Sequence, residues 1–197
     1  MNLCVIASGK GSNLKAIIKA TEKKIIDSKV VVVISNNSGS EALQTARQNK
    51  IPAIHLSAKL FAAQAEFDSA LLNLLKKYKI DLIVLAGYLK KLSPIIVKRY
   101  KNKIINIHPA LLPDFGGEGM FGLKVHQAVI DSGNKISGVT VHFVDEEYDK
   151  GKIILQKKIN IKKNEDAVSL EKRLRRIEHK IYPEAIRLIE DGIKGSS

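Results

Sequence analysis

The chain holds one cysteine in 197 residues, no tryptophan, and only six arginines among its 33 basic residues. Cys4 alone cannot close an internal disulfide, so a reducing, cytoplasmic setting is expected. No apolar run approaches the roughly 20 residues that cross a bilayer. Met1 leads straight into an apolar segment without a basic leader, so neither a membrane anchor nor a secretory signal is expected. The formal charge of +13 invites a nucleic-acid reading. Its source argues against one, because arginine is the residue suited to bidentate base and phosphate recognition, and lysine dominates here. The lysines are scattered, with doublets such as Lys23-Lys24, Lys76-Lys77 and Lys162-Lys163. They read as a solvated surface that attracts small anions, with no nucleic-acid or membrane partner.

What the sequence does contain is alternation. Leu3–Ala7 is a short apolar run that ends in Ser8-Gly9-Lys10-Gly11-Ser12-Asn13, a buried strand followed by a turn. Val30–Ile34 is β-branched throughout, as expected of a strand buried on both faces. Residues 40–50 read as a helix, Ala53–His55 as a brief strand, and Phe67, Leu71, Leu74, Leu75 and Tyr78 as the apolar stripe of a longer helix. Leu82–Ala86 and Lys103–His108 are further strands, with a short helix starting at Ser93-Pro94 between them. Leu123–Asp131 reads as a helix, and Val139–Val144 and Ile153–Ile159 as strands around an acidic turn. Asn164 is the expected cap of a last helix running to about Glu190. The expected fold is α/β, a Rossmann-like, mostly parallel twisted sheet with helices on both faces, in one domain over 1–197. Ligands of such sheets gather at the carboxyl ends of the strands.

Three strand ends carry polar groups. The Gly9–Asn13 loop can turn tightly and present helix N–H groups to an anion. Position 14 is Leu14 and the second strand ends in Ser35-Asn36-Asn37, so the dinucleotide fingerprint, with its third glycine and later acid, is absent. A phosphate monoester suits the loop better, with a plain strand-to-helix turn as the other reading. In Asn106-Ile107-His108-Pro109, alternation puts the amide and the imidazole on one face, and Pro109 holds His108 extended. His142, inside a strand, is a weaker candidate, and His55, His126 and His179 read as structural or solvent-facing. The histidines and Cys4 lack metal-ligand spacing, so no metal is assigned. Asp145–Gly151 carries four carboxylates, either a solvated turn or one that aims an acid at His108. In the second case the anion would raise the histidine's pKa and keep it protonated near neutrality. Glu178 lies about 40° around the last helix from Leu174, at the edge of its apolar stripe.

In order and in spacing, these segments resemble the phosphoribosylglycinamide formyltransferases, within the folate-dependent formyltransferase family. The likeness runs from Ser8–Leu14 through Leu85-Ala-Gly-Tyr-Leu89, Asn106–Pro113, Gly138–Gly151 and Glu178–Pro183, nearly the whole chain. The glycine loop is weak by itself, whereas the motifs around His108 and Asp149 are specific. Asn106, His108 and Asp149 occur across the wider family and so speak for the chemistry before the substrate. Methionyl-tRNA formyltransferases and formyltetrahydrofolate hydrolases carry additional domains that this length is not expected to hold.

The resemblance implies formyl transfer from 10-formyltetrahydrofolate to the glycinamide amine of phosphoribosylglycinamide, in purine biosynthesis, without a metal. It implies Asn106, His108 and Asp149 as catalytic groups, with Asn106 and a protonated His108 on the oxyanion. It places the substrate phosphate on Gly11, Ser12 and Asn13, with Gly87, Pro109 and Glu178 nearby. It implies a folate pocket from Leu89, Lys90, Lys91 and Leu92, from Asp145, Glu146, Glu147, Tyr148 and Asp149, and more weakly from Gln64. Gln64 and Lys90 stand where relatives often carry arginine. The loop Asp114–Gly122 is longer than in many relatives and, being rich in glycine, is a candidate lid. The partners expected are these two small molecules, for a monomer or homodimer. Formyl transfer to another amine, a basic nucleic-acid-binding domain and a non-catalytic phosphate sensor are the rival readings.

Overall fold

The apolar runs pair into one sheet in this computed structural model, which describes residues 1–194. Its strands are β1 (Asn2–Ala7), β2 (Lys29–Ser35), β3 (Ala53–His55), β4 (Leu82–Leu85), β5 (Ile104–His108), β6 (Ile136–Phe143) and β7 (Ile153–Asn160), in spatial order β3-β2-β1-β4-β5-β6-β7. β3 to β5 run parallel, while β6 and β7 each pair antiparallel to their neighbour. The helices are α1 (Ser12–Glu22), α2 (Glu41–Gln48), α3 (Gln64–Lys77), α4 (Pro94–Arg99), α5 (Leu123–Asp131) and α6 (Ala167–Lys194). A single 3-10 turn covers Ala58–Leu60.

Strand alternation sorts the core into two layers. Leu3, Val5 and Ala7 of β1 join Val84, Ile105 and Val141 under α1, α2, α5 and α6. Cys4 and Ile6 join Val32, Ile83 and Ile104 under α3 and α4. On that second face the apolar layer stops at Ile104. The side chains that continue it along β5 and β6 are Asn106, His108, Thr140 and His142. The sheet therefore carries polar groups where its helical cover ends.

Three details differ from the sequence reading. β6 begins at Ile136, because Gly138 lies so close to the Lys157 carbonyl of β7 that a Cβ would overlap it. Ile-Ser-Gly looks like a loop until that neighbour is known. α6 begins at Ala167 rather than after Asn164 and extends to Lys194. Asp166 caps it, accepting the Ser169 N–H at 2.7 Å, while Asn164 sits in a left-handed turn at φ 56°. A carboxylate is the better partner for the positive end of a helix.

Two buried polar groups of α6 tie it to the sheet. The Tyr182 hydroxyl donates between the carbonyls of Leu85 (2.8 Å), at the end of β4, and Ile105 (3.2 Å), within β5. Glu190 accepts the Ser28 N–H at 2.6 Å, the Ser28 hydroxyl and the Asp27 N–H at 3.2 Å, which fastens α6 to the turn before β2. Glu190→Ala removes the acceptor of the buried Ser28 groups. It is expected to cost about 2–3 kcal/mol, read as a lower urea midpoint, with Glu190→Gln losing less.

Candidate active site

The strand order reverses direction between β1 and β4, which places the expected ligand crevice at their carboxyl ends. A cavity of about 600 Å³ opens there, a size suited to small-molecule ligands. It is lined by Gly11, Ser12 and Asn13, by Leu89–Leu92, by the β6–β7 hairpin and by Asn106, His108 and His142. Gly87, Pro109 and Glu178 also line it, as do Asp145, Glu147, Tyr148 and Asp149. Gln64 and Glu146 do not line it. The Gln64 amide donates to Asp68 on its own helix at 2.8 Å, and Glu146 faces Lys98 at 3.7 Å.

Antiparallel pairing sets Asn106 directly opposite His142 and His108 opposite Thr140. Opposed Cβ atoms lie about 5 Å apart, so these side chains meet without any loop having to bring them together. Asn106 Nδ2 lies 3.2 Å from His142 Nε2. Asp149 arrives from the hairpin in a left-handed conformation, φ 57°, with Gly151 packed too tightly under the Phe143 carbonyl to carry a Cβ. Its Oδ2 accepts the Gly117 N–H at 2.9 Å and faces His108 Nδ1 at 3.6 Å, while Oδ1 faces His142 Nε2 at 3.4 Å. One carboxylate thus bridges two imidazoles. Asp149 is the hairpin acid that faces His108, and His142 belongs to the same cluster.

His108 is only 3% exposed, and its Nε2 lies 2.8 Å from the Phe115 carbonyl. A carbonyl only accepts, so Nε2 carries the hydrogen and Nδ1 is the nitrogen turned to Asp149. The expectation of a protonated imidazole is corrected here. Burial lowers the His108 pKa below its usual value, and the opposing pull of Asp149 and the Phe115 carbonyl does not restore it. Depth of burial outweighs the neighbouring anion. Burial also disfavours the Asp149 anion, but the two imidazoles and the Gly117 N–H hold its pKa below the ordinary carboxylate range.

Polar side chains missed by the sequence reading anchor this cluster. The Thr140 hydroxyl donates to the Ala110 carbonyl at 2.7 Å and accepts the Leu112 N–H at 3.1 Å. The Gln156 amide reaches both Thr140 and the Leu112 carbonyl at 2.9 Å. They direct the chain from β5 to Phe115. Ser8 donates to Asn36 at 2.7 Å and accepts the Leu89 N–H at 3.0 Å, joining the loops after β1, β2 and β4. Only the strand register reveals the first pair; no local pattern marks Ser8.

Gly11 adopts φ 65° against Ala42, where a Cβ would meet the Ala42 Cα at 2.9 Å, and no side chain caps α1. The N–H groups of its first turn are thereby left to a ligand. Asn13 donates to Glu178 at 2.9 Å, and its own Oδ1 is buried without a partner among the described residues. Burial raises the Glu178 pKa, and the Asn13 bond offsets this in part. Lys91 Nζ stands 5.0 Å from the centre of the Tyr148 ring, linking the segment after β4 to the hairpin. Among the described residues no cluster has the arrangement of a metal centre, and no helix is long and apolar enough to cross a membrane.

Residues 1–186 match the family model described as formyl transferase. The chain belongs to the formyl transferase family. This formyl transferase is 40% identical over 190 residues to the phosphoribosylglycinamide formyltransferase of Haemophilus influenzae, covering 96% of this chain and 87% of that protein. It is 40% identical over 194 residues to the chloroplastic phosphoribosylglycinamide formyltransferase of Arabidopsis thaliana, covering 98% of this chain but only 66% of that longer protein. The crystal structure of glycinamide ribonucleotide transformylase 1 from Symbiobacterium toebii superposes with a TM-score of 0.91 at 36% identity, covering 98% of this chain and 88% of that one.

His108 is expected to titrate below about 6.5 by NMR, and Asp149→Asn to move the midpoint lower still, since it removes the anion that opposes burial. A histidine depressed in the folded state costs no stability above its unfolded pKa and costs progressively more below it. Urea midpoints of the unsubstituted protein should therefore fall more steeply from about pH 6.5 downward than those of His108→Asn.

Proposed function

We propose that this formyl transferase moves the formyl group of 10-formyltetrahydrofolate to the glycinamide amine of phosphoribosylglycinamide. The observation that carries the reading is the Asp149 carboxylate facing both His108 and His142 beside the Asn106 amide, in the wall of one cavity. The names of the relatives and the shared family support it. The ribonucleotide fits against the uncapped start of α1, with its phosphate on the N–H groups of Gly11–Asn13 and Glu178, Gly87 and Pro109 nearby. The formyl-folate fits between Leu89–Leu92 and the hairpin.

The neutral amine attacks the formyl carbon, and negative charge builds on the formyl oxygen. Asn106 donates an N–H to that oxygen. His108, neutral in the free protein, takes through Nδ1 the proton that the attacking amine sheds. Asp149 stabilises the imidazolium so formed, and His108 returns the proton to the folate nitrogen as its bond to the formyl carbon breaks. One proton leaves the amine and one reaches the folate, so the exchange balances. The cavity adds the gain of holding both reactants in line.

The loop Asp114–Gly122 supplies the Phe115 carbonyl to His108 and the Gly117 N–H to Asp149. It both covers the site and braces its acid–base pair.

Purified protein mixed with both substrates is expected to release deformylated folate, followed by absorbance; no turnover overturns the reading. Asn106→Ala should lower kcat about 10²–10³-fold, and His108→Ala about 10²–10⁴-fold. Calorimetry should show ribonucleotide binding nearly unchanged in both. Proteolysis within 114–122 is expected to slow when both substrates are bound, and equal rates would remove the covering role.

A further inference from the structure

An asparagine amide has one edge that donates and one that accepts, and its neighbour decides which edge is left for a substrate. Asn106 has one such neighbour, His142 Nε2 at 3.2 Å, and its amide makes no other hydrogen bond among the described residues. The remaining ring nitrogen of His142, Nδ1, lies 2.8 Å from the Phe143 carbonyl. That carbonyl can only accept, so Nδ1 carries the hydrogen, and in the neutral form of the ring Nε2 presents a lone pair. Only the NH₂ edge of Asn106 can meet it. The register sets the two residues directly opposite one another, and His142 is 2% exposed.

The charged and titratable groups facing this contact are Asp149, whose Oδ1 stands 3.4 Å from the same Nε2, and His108 across that carboxylate. A hydrogen on Nε2 would turn to Asp149 and leave the Asn106 amide without its acceptor. With the hydrogen on Nδ1, one N–H of Asn106 is held and the second is free.

We propose that His142 is a positioning residue that acts through Asn106, its Nε2 lone pair turning the amide so that an N–H, and not the carbonyl, meets the formyl oxygen. The inference rests on the formyl-transfer reading for its effect on rate, but the tautomer it requires is independent of any reaction.

The first test is the nitrogen-15 spectrum of the histidine rings in the free protein. A neutral His142 ring protonated on Nδ1 is expected, and one protonated on Nε2 overturns the proposal whether or not the protein turns over. The second is a double-mutant cycle. His142→Phe is expected to lower kcat about 10- to 100-fold, less than the loss from removing the Asn106 donor itself. KM for both substrates should stay within about twofold, as befits an interaction made in the transition state. His142→Gln, which offers an amide oxygen as acceptor, should recover most of that loss. In an Asn106→Ala background the second substitution should cost less than about twofold, and losses that multiply would mean His142 does not act through Asn106. If His142→Phe fails to fold, His142→Gln in both backgrounds carries the same comparison, with full activity expected to within about tenfold and independent losses overturning the proposal. Absence of turnover in the unsubstituted protein would sink the functional reading alone, and the tautomer would still decide this one.

Discussion

Asp149 holds a carboxylate largely out of water, where among the described residues it accepts the Gly117 N–H at 2.9 Å. A buried anion with few donors is costly. Two imidazole nitrogens stand at 3.4 and 3.6 Å, just too far to be firm bonds in the free protein. The carboxylate therefore keeps acceptor capacity in reserve, and a proton reaching His108 Nδ1 becomes an ion pair at once. The same residue ties the hairpin to the loop after β5. Gly116 is confined there, because a Cβ would press on Leu112 and come within 3.1 Å of the Asp149 Cβ. Loosening that contact would disturb both the acid–base pair and the backbone that fixes its tautomer.

Much of the architecture is legible from local pattern. Val30–Ile34 and Leu82–Leu85 are apolar on every residue because helices cover both faces of their sheet, and such runs need no tertiary knowledge to read. The departures have different causes. Gly138 belongs to a strand because β7, distant in sequence, lies against it, whereas Asp166 and Asn164 are near neighbours and the carboxylate answers the helix end. Only the first is invisible in a window of a few residues.

The site divides in the same way. Asn106 and His108 can be placed together from the period of one strand, and the hairpin acid from the turn that follows it. His142 depends on the register between β5 and β6, a relation across 36 residues that no spacing rule encodes. Phe115 contributes a backbone carbonyl, which has no residue-type signature. The sign of the His108 shift depends on how deeply the ring is buried. A neighbouring acid can be read from sequence, but the volume of protein around it cannot, and here the volume decides.

On the formyl-transfer reading, that reversal suits the chemistry. An attacking amine must lose a proton, and a ring already charged in the free protein could not accept one. A ring pushed too far down would hold the proton too weakly to pass it on. Burial and Asp149 exert opposed influences on the His108 ring, and burial prevails, which favours the neutral form able to accept a proton. The oxyanion then needs a donor that is not itself titrating, and the Asn106 amide is that group. On the same reading the substrate phosphate meets the uncapped start of α1, a different stretch of the cavity wall from His108 and Asp149.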